Sequence, residues 1–156
     1  MKRWMERLRK LARNRDGNAM LEFAIGAGLL VAVFTGTFQF GYTYLQYNNL
    51  KNAVVRGARY GSLVPYDSLT STPSDAFKTA VKNMVVYGSP TTGTTAVLPG
   101  LTTSMVNVSM GPFTLGVPTT VIVSISGYAI NSVFASTTLT GKPTVTFTYQ
   151  GIWSPI

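Results

Sequence analysis

The feature that most constrains this chain is a run of 28 residues, Phe23 to Leu50, without a single charge. Its first part, Phe23 to Tyr42, is dominated by apolar and small residues. At about 1.5 Å per residue, those 20 residues make a helix of about 30 Å, the thickness of a bilayer's hydrocarbon core. A buried core helix is the competing reading, but a chain of 156 residues can hardly enclose so long an apolar helix. Tyr42, Tyr44 and Tyr47 follow the run, where amphipathic rings suit an outer membrane interface. The sequence therefore predicts a membrane span.

The charges flank that run unevenly. Of a net +8, residues 1–17 supply +5, from Lys2, Arg3, Arg7, Arg9, Lys10, Arg13 and Arg15 against Glu6 and Asp16. The remaining +3 is spread over residues 18–156. A basic tail beside an apolar segment orients insertion, which places the N-terminus in the cytoplasm and the C-terminal portion outside. No nucleic-acid partner is expected from it. Trp4, Leu8, Leu11 and Ala12 fall on one face if the tail is helical, which suits an anionic inner leaflet. An unstructured positive tail predicts the same topology.

Enzyme chemistry is poorly provided for. The chain has no His and no Cys, which leaves no Ser-His or Cys-His nucleophile, no disulfide framework and none of the side chains that most often ligate transition metals. Its carboxylates are Glu6, Asp16, Glu22, Asp67 and Asp75 alone. No cofactor, metal or small-molecule substrate is expected, and no catalytic residue is assigned.

A cleavable secretory signal would end in small residues after the apolar run. Instead that position reads Phe34-Thr-Gly-Thr-Phe-Gln-Phe-Gly, crowded with aromatics. The more suggestive site lies before the run, at Asp16-Gly17-Asn18-Ala19-Met20-Leu21-Glu22-Phe23. A basic leader, then Gly17, then Glu22 five residues later at the threshold of the helix, resembles a type IV prepilin signal. The resemblance implies cleavage after Gly17 by a prepilin peptidase, leaving Asn18 as the mature N-terminus.

Leu21-Glu22-Phe23, Phe38-Gln39-Phe40-Gly41-Tyr42, Leu50-Lys51-Asn52-Ala53 and Arg56-Gly57-Ala58-Arg59-Tyr60-Gly61 extend the likeness. Over about residues 15 to 62 the chain resembles the TadE-like family, pilin-like subunits of the tight-adherence (Tad) secretion and pilus system. Two departures stand out. Gln39 occupies a place where many members carry Glu, and the outer portion lacks the cysteines that some members pair.

Helical character continues past the membrane to about Ser62, and Pro65 supplies a stop. Ala24, Gly28, Ala32 and Gly36 recur at every fourth position, and Ala53, Gly57 and Gly61 repeat the pattern. Small residues on one helical face let backbones approach, so both sets are expected to pack against other helices in an assembly. Small residues are also simply common in membrane helices. An ionisable group costs on the order of 2.5–3.5 kcal/mol at mid-membrane and less near the interface. Glu22 has a bland reading as a solvated carboxylate that favours the positive helix start. The resemblance implies an assembly role for Glu22 and the adjoining Phe23, with Glu22 attracting a neighbour's free Asn18 amine.

After Pro65 the composition turns to Ser, Thr, Gly and Pro. Ser74 can cap a short helix over 75–87, with Phe77, Ala80, Val81, Met84 and Val85 as its apolar face and Gly88 and Pro90 ending it. The segment Ser89 to Gly100 reads as an exposed or variable loop. Alternation predicts antiparallel strands over 103–110, 119–128 and 143–150, with Val106, Val108, Met110, Val121, Val123, Ile125, Val145, Phe147 and Tyr149 on buried faces. Residues 128–139 fit either a long hairpin connection or a further strand. The expected fold is α+β, with a basic leader (1–17), a transmembrane and stem helix (18–62) and an extracytoplasmic domain (63–156).

The function expected is structural: a minor pilin or pseudopilin of a Tad-type pilus, seated in the bacterial inner membrane. Its partners would be other pilin-like subunits, the prepilin peptidase, and the inner membrane with its pilus assembly platform. Two alternatives stay open, the main filament subunit and a membrane-anchored adhesin using the Ser89 to Gly100 loop.

Overall fold

A computed structural model of the chain describes Met5 and residues 16–114, 116–132 and 135–151. The chain divides into two compact units, 1–41 and 42–156. The long helix α1, Asp16–Leu63, crosses that division. The amphipathic leader positions Trp4, Leu8, Leu11 and Ala12 lie outside the described residues.

In the first unit, α1 buries none of its described residues. Eleven large apolar side chains from Met20 to Phe40 are each more than half exposed, Phe23 and Met20 at 78%. Leaving such side chains in water costs about 1.5–3 kcal/mol apiece, on the order of 15–30 kcal/mol for the set. That exceeds the roughly 5–15 kcal/mol by which a small domain is stable. The surface needs lipid or protein around it, and the helix is long and apolar enough to cross a membrane.

The second unit is the α+β body. Its portion of α1 buries Leu50, Ala53, Val54 and Ala58 completely. Helix α2, Asp75–Tyr87, packs in the same core through Phe77, Val81, Val85 and Val86. Its ends are fixed as the sequence predicts. The Ser74 hydroxyl oxygen accepts from Phe77 N–H at 3.0 Å while its own hydrogen is donated to Asp67 Oδ2. Gly88 closes the helix with φ +73°, donating its N–H to Met84 O at 3.1 Å, a left-handed cap that suits glycine.

A 3₁₀ turn, Thr103–Met105, leads into β1, Val106–Met110. Strands β2 (Phe113–Thr114) and β3 (Val117–Pro118) form a small hairpin. The main sheet has order β1-β4-β7, with β4 Thr120–Ile125 central and β7 Thr144–Thr148 at one edge, all antiparallel. Register aligns Met110 with Val121 and Phe147, and Val108 with Val123 and Val145, in rows across one face. Val121, Val123 and Ile125 are fully buried, as their alternation requires, and Thr144, Thr146 and Thr148 face out. The ambiguous 128–139 segment is a hairpin of β5, Tyr128–Asn131, with β6, Ser136–Leu139.

Tyr66 joins the layers. It is fully buried, with Phe77, Phe113 and Tyr149 rings at 5.9, 5.7 and 6.2 Å. Its hydroxyl donates to Thr70 O at 2.6 Å, and Tyr149 donates to Val64 O at 2.8 Å. Burial pushes both phenols, and that of Tyr128, above the ordinary 10.0, since a phenolate loses its hydration there.

Two expectations need correcting. The Ser89 to Gly100 loop is not wholly exposed: Leu98 is buried, Val97 N–H reaches Val86 O at 2.7 Å, and buried Asn83 donates to Pro90 O at 3.2 Å. The predicted 103–110 strand begins only at Val106, because the preceding three residues wind into the 3₁₀ turn.

Candidate functional site

The residues singled out for processing and assembly all lie on α1, whose first described turns carry Gly17, Asn18, Glu22 and Phe23. All four are exposed. A Cβ added to Gly17 would meet nothing within 4 Å, so the described chain leaves access to that peptide open. In the intact chain the Asn18 nitrogen is an amide and carries no charge. Glu22 has no ion-pair partner among the described residues, where Lys78–Asp75 at 3.2 Å is the one ion pair. A carboxylate at this depth can be satisfied by solvent or by a cation from another chain.

The first set of small residues, Ala24, Gly28, Ala32 and Gly36, is fully open. Added Cβ atoms at Gly28 and Gly36 would touch nothing within 4 Å. Beside Gly26, Leu29, Leu30, Val33, Phe34 and Thr37 bound a shallow apolar groove of about 470 Å³. Gly26 was not among the expected packing positions. Its signal was present as Gly26, Leu30, Val33 and Thr37, spaced four, three and four, which shares one helical face.

The second set has a different fate. Ala53, Gly57 and Gly61, expected to pack against other chains, are buried inside this one. A Cβ at Gly57 would collide with Val85 Cγ2 and lie 3.3 Å from Val81 O. One at Gly61 would lie 3.0 Å from Val81 Cγ2 and 3.3 Å from Val121 Cγ1. The close helical approach is therefore real, but α2 of the same chain makes it, and the periodic spacing could not distinguish the two partners.

Two further carboxylates have structural partners, and one Asp67 oxygen, Oδ1, is buried without a hydrogen bond among the described residues. Asp75 pairs with Lys78 on the first turn of α2, and Asp67 accepts from Ser74. No cluster of three or more His, Cys, Asp or Glu occurs among the described residues.

Residues 17–59 match the family model described as TadE-like protein. The match covers the helix stretch that carries the sequence resemblance, 43 of the 156 residues, and is consistent with a TadE-like protein there. No curated protein matches the chain, and no solved structure matches it.

Proposed function

We propose that this TadE-like protein is a minor pilin or pseudopilin, a structural subunit that joins a Tad-type pilus through the first part of α1. The observation that carries the reading is the exposed apolar surface from Met20 to Phe40, within the family-matched residues. In the inner membrane lipid covers that surface, with the basic tail cytoplasmic and residues 63–156 outside. On assembly, neighbouring helices replace the lipid along Ala24, Gly28, Ala32 and Gly36, where backbones can come close.

Processing supplies the switch between the two states. A prepilin peptidase cuts between Gly17 and Asn18, which removes a leader of net charge +5 and creates one amine. Glu22 of one chain then offsets the Asn18 amine of another in a poorly solvated layer at the assembly platform. The chemistry of the chain is accordingly that of packing and charge pairing, with no catalytic step of its own.

The test is intact mass measurement of the protein from its native envelope, with variants. The expected mass is that of residues 18–156, and Gly17→Val should retain the leader because a side chain obstructs approach to the scissile carbonyl. Glu22→Gln should insert and be processed but fail to enter pili. A native mass that keeps residues 1–17 defeats the processing step, and normal pilus entry of processed Glu22→Gln defeats the charge pairing.

A further inference from the structure

Two lysines from distant parts of the sequence meet on the second unit. Lys51 on α1 and Lys142 before β7 line one shallow cleft of about 360 Å³ with Tyr47, Pro143 and Thr144. Both lysines are exposed, and neither forms an ion pair among the described residues. Their backbones are well held. Lys51 follows the fully buried Leu50, while Lys142 sits on a turn tied by Gly141 N–H to Ser126 Oγ at 3.1 Å and Thr144 Oγ1 to Gly141 O at 2.5 Å. Beyond it, Ile125 N–H reaches Pro143 O at 3.2 Å. Two like charges thus line one cleft with no ion-pair partner among the described residues, an arrangement that attracts an anion.

The depth of the cleft along the sequence identifies which anion. With Phe23 to Tyr42 filling the core of about 30 Å, Lys51 follows nine residues later, about 13.5 Å of helix beyond the outer core edge. A bilayer with its headgroup layers is about 40–45 Å thick. Each headgroup layer therefore extends about 5–8 Å past the core, and Lys51, the first charge after the run, reaches back towards it by snorkelling its stem of about 6 Å.

We propose that the Lys51–Lys142 cleft binds the phosphate of an anionic phospholipid in the outer leaflet of the membrane that α1 crosses. The contact holds the α+β body against the membrane until the subunit is withdrawn into an assembly. It rests on the membrane topology given under the proposed function. Tyr47 contributes an amphipathic ring at the same level.

Because the chain has no cysteine, Thr140→Cys gives a single labelling position two residues from Lys142. The full chain carrying a fluorophore there is reconstituted in vesicles of phosphatidylcholine, or of phosphatidylcholine with phosphatidylglycerol, containing headgroup-quencher lipid. Quenching should rise with phosphatidylglycerol. Each lysine near an anionic surface is worth about a fivefold preference, so Lys51→Gln with Lys142→Gln should weaken docking about 30-fold. Lys51→Arg with Lys142→Arg should retain it. Extraction of the full chain by alkaline carbonate would overturn the membrane topology itself. Firm insertion with equal quenching in both vesicles would overturn the lipid contact alone. So would competition by inorganic phosphate at constant ionic strength, which marks a free-anion site, or quenching that follows protein density, which marks a protein counter-surface.

Discussion

The two parts of α1 use the same residue types and do opposite things with them. Before Tyr42, small residues at every fourth position stand open beside exposed Leu, Ile, Val and Phe. From Tyr42 on, small residues at the same spacing are buried under α2 and the sheet. The difference lies in what else the chain provides. The second part has Val81, Val85 and Val121 to receive it, whereas the first has no described partner and must find one in lipid or other chains. A small-residue stripe therefore states that a helix will be approached closely, and the rest of the fold decides by what.

The largest effect that would sharpen this contrast is expected at Tyr66. Tyr66→Ala removes the ring that meets Phe77, Phe113 and Tyr149 and should cost the body about 3–5 kcal/mol. Thermal unfolding in detergent, followed by near-ultraviolet circular dichroism, should show a sharply lower Tm with membrane insertion intact.

Gly57→Val comes next. Its added atoms collide with Val85, so about 1–3 kcal/mol should be lost, while Gly28→Val should leave the unfolding of the body unchanged. Equal Tm values for the two variants would break the contrast. Ser74→Ala should be smaller again, about 1 kcal/mol for the lost cap of α2, measured by the same unfolding.

The mildest probe is alkaline titration. Burial raises the Tyr66, Tyr128 and Tyr149 phenols above 10.0, so the folded state holds their protons more tightly than the unfolded chain. The resulting stability is present in full below about pH 10 and falls as pH rises through the higher folded-state values. Phenolate absorbance should appear late for three tyrosines and coincide with loss of the body's circular dichroism. Early ionisation of all eight tyrosines, with the fold intact, would contradict the buried placement.

Much of the architecture was legible because its signals are local. An expected helix over 18–62 is observed over Asp16–Leu63, and α2 occupies 75–87 as its Ser74 and Gly88 caps require. Strict alternation gave the inward residues of β4. The β2–β3 hairpin escaped notice because two-residue strands are too short to show a period. Tyr66 and Asn83 were illegible for another reason: each is buried by partners remote in sequence or by a loop folding back. On α1, Gly17, Glu22 and the first small-residue set were visible as a pattern, and the sharing of Ala53, Gly57 and Gly61 with α2 was not. Spacing records a face and carries no information about its partner.

That partner can be tested directly with the cysteine-free chain. Single cysteines at Gly28, Gly36 and Ala58 would be crosslinked by a short bismaleimide in cells assembling pili, and the products sized. Chain-to-chain products are expected at positions 28 and 36 and none at the buried position 58. Chains that stay monomeric at 28 and 36 but crosslink at 58 would contradict it.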